Sequence, residues 1–189
     1  PAARRLISCH LGAGCSLCAV VLPPGGAPRS LATTMGFTPL EGLVMATRSG
    51  SVDPGLLLHQ LREGMAASEL EHALNHQSGL LGLSELSGSM QELRAAAAAG
   101  HGGAQLAIAV FEARLLQEIG AMAAALGGVD VIALTGGIGE RDAVLQAQLE
   151  SRLAWLGRLG WLVVPADEEG VIARSCLRQR LHSHTPQQN

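Results

Sequence analysis

The run Val129-Asp130-Val131-Ile132-Ala133-Leu134-Thr135-Gly136-Gly137-Ile138-Gly139-Glu140 reads as a buried strand that stops on a glycine turn. Val129 to Leu134 is β-branched and apolar, as a strand covered on both faces requires. Gly127-Gly128 ends the helix before it, and a helix is expected from about Asp142 to Leu156. Trp161 to Val164 then reads as a last short strand, and Glu168-Glu169 opens a final helix to about Arg180. A strand, crossover helix and strand in this order give parallel pairing.

Upstream the pattern differs. Arg5 to Cys9 and Cys15 to Leu22 are short apolar runs on either side of His10-Leu11-Gly12-Ala13-Gly14. Pro23-Pro24-Gly25-Gly26 makes a turn, and Arg29 to Thr33 reads as a third strand. This is an antiparallel meander. Helices are predicted from Asp53-Pro54, from a Ser68–Glu71 capping box to near Asn75, over Ser87–Ala99 and over Gln105–Leu126. A meander joined to parallel strands makes an α/β domain with a mixed sheet flanked by helices. Residues 1–189 read as one domain, with a frayed polar tail at 182–189. Residues 35–52 form a long glycine-rich connection, a type of segment that is commonly functional.

Composition narrows the class. Of 189 residues, 48% are hydrophobic and 2% aromatic, with a mean hydropathy of +0.27, so a core of Leu, Ala, Val and Ile is available. The net charge of −3 comes without a basic run, which argues against nucleic acid. Apolar stretches are broken before about 18 residues, so no membrane partner is expected. Four cysteines are too few for a disulfide scaffold, and a reduced, cytoplasmic setting follows. No signal peptide is visible, and the start at Pro1 reads as a fragment or processed start.

Two glycine turns at strand ends present backbone N–H groups where an anion can approach. Neither is a dinucleotide fingerprint: from Gly12 the third glycine falls on Leu17, and from Gly137 on Asp142. Neither carries the Gly-Lys-Ser/Thr of a P-loop. Cys15 and Cys18, three apart on a strand, point to opposite faces and cannot chelate together. His72 and His76 sit one turn apart on a helix but lack a third ligand.

The segment Thr33-Thr34-Met35-Gly36-Phe37-Thr38-Pro39-Leu40-Glu41-Gly42-Leu43-Val44-Met45-Ala46-Thr47-Arg48-Ser49-Gly50, continued by Ser51-Val52-Asp53-Pro54, closely resembles the signature of the acetate and propionate kinase family. Cys9-His10-Leu11-Gly12-Ala13-Gly14 is similar to that family's phosphate loop, Thr135-Gly136-Gly137-Ile138-Gly139-Glu140 to its adenosine-side loop, and Pro165-Ala166-Asp167-Glu168-Glu169 to its late metal-side motif. The four motifs run in order through nearly the whole chain.

The resemblance implies a ribonuclease H-like, actin-like ATPase lobe, the C-terminal one of a two-lobed kinase. It implies phosphoryl transfer between ATP and a short-chain carboxylate, acetate or propionate, to give an acyl phosphate and ADP, with Mg²⁺ as cofactor. His10 and Arg48 would act on the transferring group. His10, Gly12, Ala13, Gly14, Gly136, Gly137, Ile138 and Gly139 would hold the nucleotide, and Glu168 the metal. A homodimer is also implied, and the long helix at 105–126 suits close packing. Read singly, Arg48 is a loop-bracing cation, His10 a core-edge imidazole and Glu168 an acid stabilised at a helix start.

The chain departs from the family's pattern in places. Ala13 stands where the family carries Asn, and Ser89 and Gln91 stand where it carries an Asp and an Arg that contact the nucleotide. The stretch from Glu140 to Glu168 is shorter than usual. The family's other lobe, which completes the cleft, is expected to be missing. The alternative reading is a catalytically degenerate or truncated nucleotide-binding or dimerisation domain without kinase activity.

Overall fold

Alternation along the first two strands decides which way each side chain faces. Ile7, Cys9 and Leu11 on β1 (Arg5–Leu11) are fully buried, as are Cys15, Leu17 and Ala19 on β2 (Cys15–Val21), while the residues between them are half-buried. In the computed structural model, which describes residues 4–183, these strands pair antiparallel, with His10 opposite Ser16. β3 (Arg29–Thr33) extends the meander. β4 (Val131–Thr135) pairs parallel to β1, placing Thr135 beside His10, and β5 (Gly160–Val163) pairs parallel to β4. The sheet order is β3-β2-β1-β4-β5, the mixed sheet the sequence predicts.

Helices follow in the order α1 (Pro54–Arg62), α2 (Ala67–His76), α3 (Gly79–Ser84), α4 (Met90–Ala98) and α5 (Gly102–Leu126). After β4 come α6 (Gly136–Arg141) and α7 (Ala143–Arg152), and after β5 comes α8 (Glu168–Ser183). The 25 residues of α5 span about 38 Å. They lie on the buried face of the meander and against α3 and α4, with Phe111, Leu115 and Ile119 fully buried. The apolar content of α5 therefore serves the core of this chain. Leu43, Val44 and Met45 join the same core, so the 35–52 segment is anchored at its middle.

Several boundaries differ from expectation. The short helix α3 is absent from the sequence reading because Gly79-Leu80-Leu81-Gly82 has too few residues to show a period. The cap of α2 is Ala66, whose N–H donates to Glu69 Oε2 at 3.2 Å, in place of the Ser68–Glu71 pair. α4 begins after Ser89, whose hydroxyl accepts from Glu92 N, three residues later than a start at Ser87 expects. The Gly136 turn is itself the first turn of α6, and Asp142 caps a separate helix that gives way to a 3₁₀ turn at Ala154–Leu156. From residue 184 the expected tail lies outside the described residues. No helix among the described residues is long and apolar enough to cross a membrane.

Candidate functional site

The ends of β1 and β4 lie side by side, so the two glycine corners meet. Gly136 has φ +79°, a left-handed conformation, and a Cβ there would stand 2.7 Å from the Leu11 carbonyl oxygen and 3.1 Å from Gly12 N. Only hydrogen fits that position. One strand's glycine thus lets the other strand's loop lie against it.

Arg48 reaches the same loop from the 35–52 segment. A methyl group at Gly14 would lie 3.5 Å from Arg48 Nη1, and one at Gly12 would lie 3.3 Å from His10 Nε2. The segment is fixed in place by backbone bonds: Ala46 N donates to Ala13 O at 3.1 Å, Met45 N to Arg48 O at 3.2 Å and Leu80 N to Met45 O at 2.8 Å. The Arg48 guanidinium is half-buried and donates only weakly, to Pro39 O at 3.4 Å and towards Met45 Sδ at 3.7 Å. It has no carboxylate partner among the described residues. The loop-bracing salt bridge is therefore not made. A half-buried guanidinium without a carboxylate beside a glycine loop is a place where an anion can be held.

His10 points to the half-buried face of the sheet, opposite the core, because Cys9 takes the inward position. Its Nε2 stands 3.2 Å from Glu168 Oε1, on the first turn of α8. His10, Thr135, Pro165, Asp167 and Glu168 line a shallow recess there. Glu140 ties this region to the glycine corner: its Oε1 accepts from Gly136 N at 3.0 Å and from Ala166 N at 2.9 Å. Sequence reading noted Glu140 only as the end of a motif. The signal for its role was a carboxylate four residues after a helix-opening glycine, where orphan N–H groups need an acceptor.

A cleft of about 1040 Å³ adjoins the two corners. Gly12, Ala13 and Ala46 form one part of its wall, and Gly137, Ile138 and Arg141 another. Gly88, Ser89, Met90 and Gln91, at the start of α4, complete it. The three departures at Ala13, Ser89 and Gln91 thus fall within one cavity. Ser89 serves as the α4 N-cap. Arg94, which sequence reading missed, also reaches the cleft, but it is engaged: Nη2 pairs with Glu112 at 2.8 Å and Nε with Asp142 at 3.0 Å. Of the expected residues, Gly12, Ala13, Gly137 and Ile138 line the cleft, Gly14 and Arg48 lie side by side, His10 and Glu168 face the recess, and Gly136 and Gly139 are buried and line neither.

The cysteines take no part. Burial pushes the Cys9 and Cys15 thiols up to about 12, and Cys15 Sγ donates to Gly12 O at 3.3 Å. Cys18 faces away from Cys15, beside Ser30. No group of three His, Cys, Asp or Glu converges among the described residues. Glu168 is mostly exposed, and its recess neighbour Asp167 is paired with Arg174 at 2.7 Å. That suits Mg²⁺, which keeps several waters and takes its remaining oxygens from substrate phosphates.

Comparison with known proteins gives consistent results. The family model described as the Acetokinase family matches residues 2–175. An acetate kinase from Synechococcus sp. is 52% identical over 153 residues, covering 81% of this chain and 37% of that protein. The crystal structure of Porphyromonas gingivalis acetate kinase superposes with a TM-score of 0.85 at 33% identity, covering 93% of this chain and 49% of that one. A propionate kinase structure from Francisella tularensis gives 0.80 at 34% identity, covering 89% and 48%. The chain spans about half the length, or less, of these relatives. Its mixed sheet flanked by helices is the actin-like ATPase lobe those kinases contain. The matched span, the level of identity and the shared fold agree: this chain belongs to the Acetokinase family.

Proposed function

We propose that this chain forms the nucleotide-side half of a carboxylate kinase that moves a phosphoryl group between ATP and acetate or propionate. The observation that carries this reading is the half-buried Arg48 guanidinium, without a carboxylate partner among the described residues, set against the Gly12–Gly14 loop where the two glycine corners meet. Phosphoryl transfer asks for alignment and charge neutralisation more than for covalent chemistry. Arg48 offers a planar fork of donors to the equatorial phosphoryl oxygens and holds the acyl group in line. The backbone N–H groups of Ala13 and Gly14 receive the nucleotide phosphates, while that of Gly12 is held by Gly14 O at 3.0 Å, and His10 donates to the transferring group. Gly137 and Ile138 form the floor under the nucleoside, and Gly136 and Gly139, expected to contact it, are buried beneath them.

Glu168 would hold Mg²⁺ through water. When bound, the ion would neutralise charge on the β- and γ-phosphates. His10, 3.2 Å away, orients that carboxylate. The protein is proposed to work in the cytoplasm, as a homodimer, with no nucleic-acid or membrane partner.

The second reading, a nucleotide-binding or dimerising domain without turnover, is favoured by Ala13, Ser89 and Gln91 all lining the cleft. One experiment separates the two. The chain is fused behind the N-terminal half of the Synechococcus acetate kinase, and acyl phosphate is trapped with hydroxylamine in the presence of ATP, Mg²⁺ and acetate or propionate. Turnover abolished by Arg48→Ala supports the kinase. Absent turnover, with ADP still bound by the chain in calorimetry, supports the binding domain.

A further inference from the structure

The geometry points to a binding site for a late transition-metal ion, Zn²⁺ first among them, held by His72 and His76 on α2. The site is separate from the cleft and the recess, and it does not depend on the nucleotide reading above.

The two histidines are four residues apart on α2 and so share one face, one turn apart. Their ring centroids stand 5.0 Å apart, with the planes tilted by 43°. Imidazole nitrogen binds Zn²⁺ at about 2.0–2.1 Å, which puts the centre of each ring about 3.2 Å from the ion. Two rings 5.0 Å apart then subtend about 100° at a shared ion, between the right angle of an octahedral site and the tetrahedral angle. One ion can therefore take a nitrogen from each ring with the helix as it stands.

Both residues are exposed, and neither imidazole makes a hydrogen bond or ion pair among the described residues. The turn between them is already fixed. The carbonyl of Ala73 accepts from Ser78 Oγ at 2.8 Å, that of Leu74 from Ser49 N at 3.0 Å and that of Asn75 from Thr47 Oγ1 at 2.9 Å. The ion thus meets a backbone that needs no further ordering. Glu69, one turn before His72, is turned to the helix start, where it accepts from Ala66 N. Two imidazoles, with water in the remaining positions, suit Zn²⁺, Cu²⁺ or Ni²⁺; Mg²⁺ asks for oxygen ligands. Thr47 and Ser49 stand on either side of Arg48, so the ion would clamp the turn on which that segment leans.

Calorimetric titration of the chain with Zn²⁺, in excess Mg²⁺ to occupy carboxylates, tests this. His72→Gln and His76→Gln should each weaken Zn²⁺ binding about tenfold or more, whereas His59→Gln, on α1, should leave it unchanged. Glutamine suits an exposed helix position, so without zinc all three variants should melt with the parent. Zn²⁺ should raise the melting temperature of the parent by about 2–4 °C and leave those of the His72 and His76 variants where they were. Absence of Zn²⁺ binding in the parent overturns the inference. So does a titration curve that either substitution leaves unchanged, or an equal loss in His59→Gln.

Discussion

His10 Nε2 lies 3.2 Å from Glu168 Oε1, joining the end of the first strand to the first turn of the last helix. Glu168 keeps 70% of its side chain exposed, so the pair adds little to stability, about 0–1 kcal/mol. Its value lies in orientation. Glu168→Gln should raise the Mg²⁺ concentration for half-maximal activity of the fused enzyme about tenfold while leaving the melting temperature within a degree or two. An unchanged Mg²⁺ requirement would reduce Glu168 to a partner of His10 alone.

Arg48 has no carboxylate partner among the described residues, so its replacement should fall on activity and not on folding. Arg48→Ala in the fused enzyme should lower kcat by about 10³-fold or more. Arg48→Lys should rescue only part of that, because an ammonium lacks the planar fork. Steady-state rates together with thermal melts distinguish a catalytic loss from unfolding. Equal rates for parent and Ala variant would remove Arg48 from the role given to it.

Ala13 is exposed on the cleft wall, and its carbonyl is already bonded to Ala46 N. A side-chain amide can therefore be added without breaking the loop. Ala13→Asn should tighten ADP binding about tenfold or more, the effect of one hydrogen bond to a charged group. Calorimetry reads the change directly, and an unchanged affinity would separate this corner from the phosphates.

The meeting of the glycine corners makes a stability prediction. Gly136→Ala places a methyl 2.7 Å from Leu11 O in a left-handed conformation, so either β1 or β4 must shift. A loss of about 2–4 kcal/mol is expected in chemical denaturation. Gly137→Ala, where nothing lies within 4 Å of the new carbon, is the control and should cost less than about 1 kcal/mol.

Asp130 anchors the other end of the parallel pair. Its Oδ2 accepts from the N–H groups of Arg4 and Arg5, and Oδ1 from Arg5 Nη2 at 2.6 Å. These bonds, the Arg5 guanidinium first, hold the carboxyl well below the usual carboxylate range. A depressed native pKa stabilises the fold above the unfolded value of about 4, and that contribution fades as pH falls below it. With 29% of the side chain exposed, water screens the pair, and Asp130→Asn should cost about 1 kcal/mol at neutral pH. The gap between parent and variant melting temperatures should begin to narrow near pH 4 and go on narrowing to the lowest pH at which the chain stays folded.

Much of the fold was readable because its signals are local. The alternation in β1 and β2, the apolar run of β4 and the Gly127 stop of α5 each follow from a few adjacent residues. The capping errors at Ala66 and Ser89 arose where several polar residues compete for one helix start. The site was legible as motifs but not as geometry. Nothing in sequence spacing shows that Gly136 presses on Leu11, 125 positions away, or that Arg94 is engaged by Glu112 and Asp142. Those relations are set by strand register and helix packing, which join distant parts of the chain.

One oxygen of Glu140 receives both the Gly136 and the Ala166 amides. The consequence is mechanical. The floor of the cleft and the approach to Glu168 are riveted into a single plate, so a displacement felt at one is delivered to the other without slack. Any opening or closing over a bound ligand then has to pivot on segments outside this rivet.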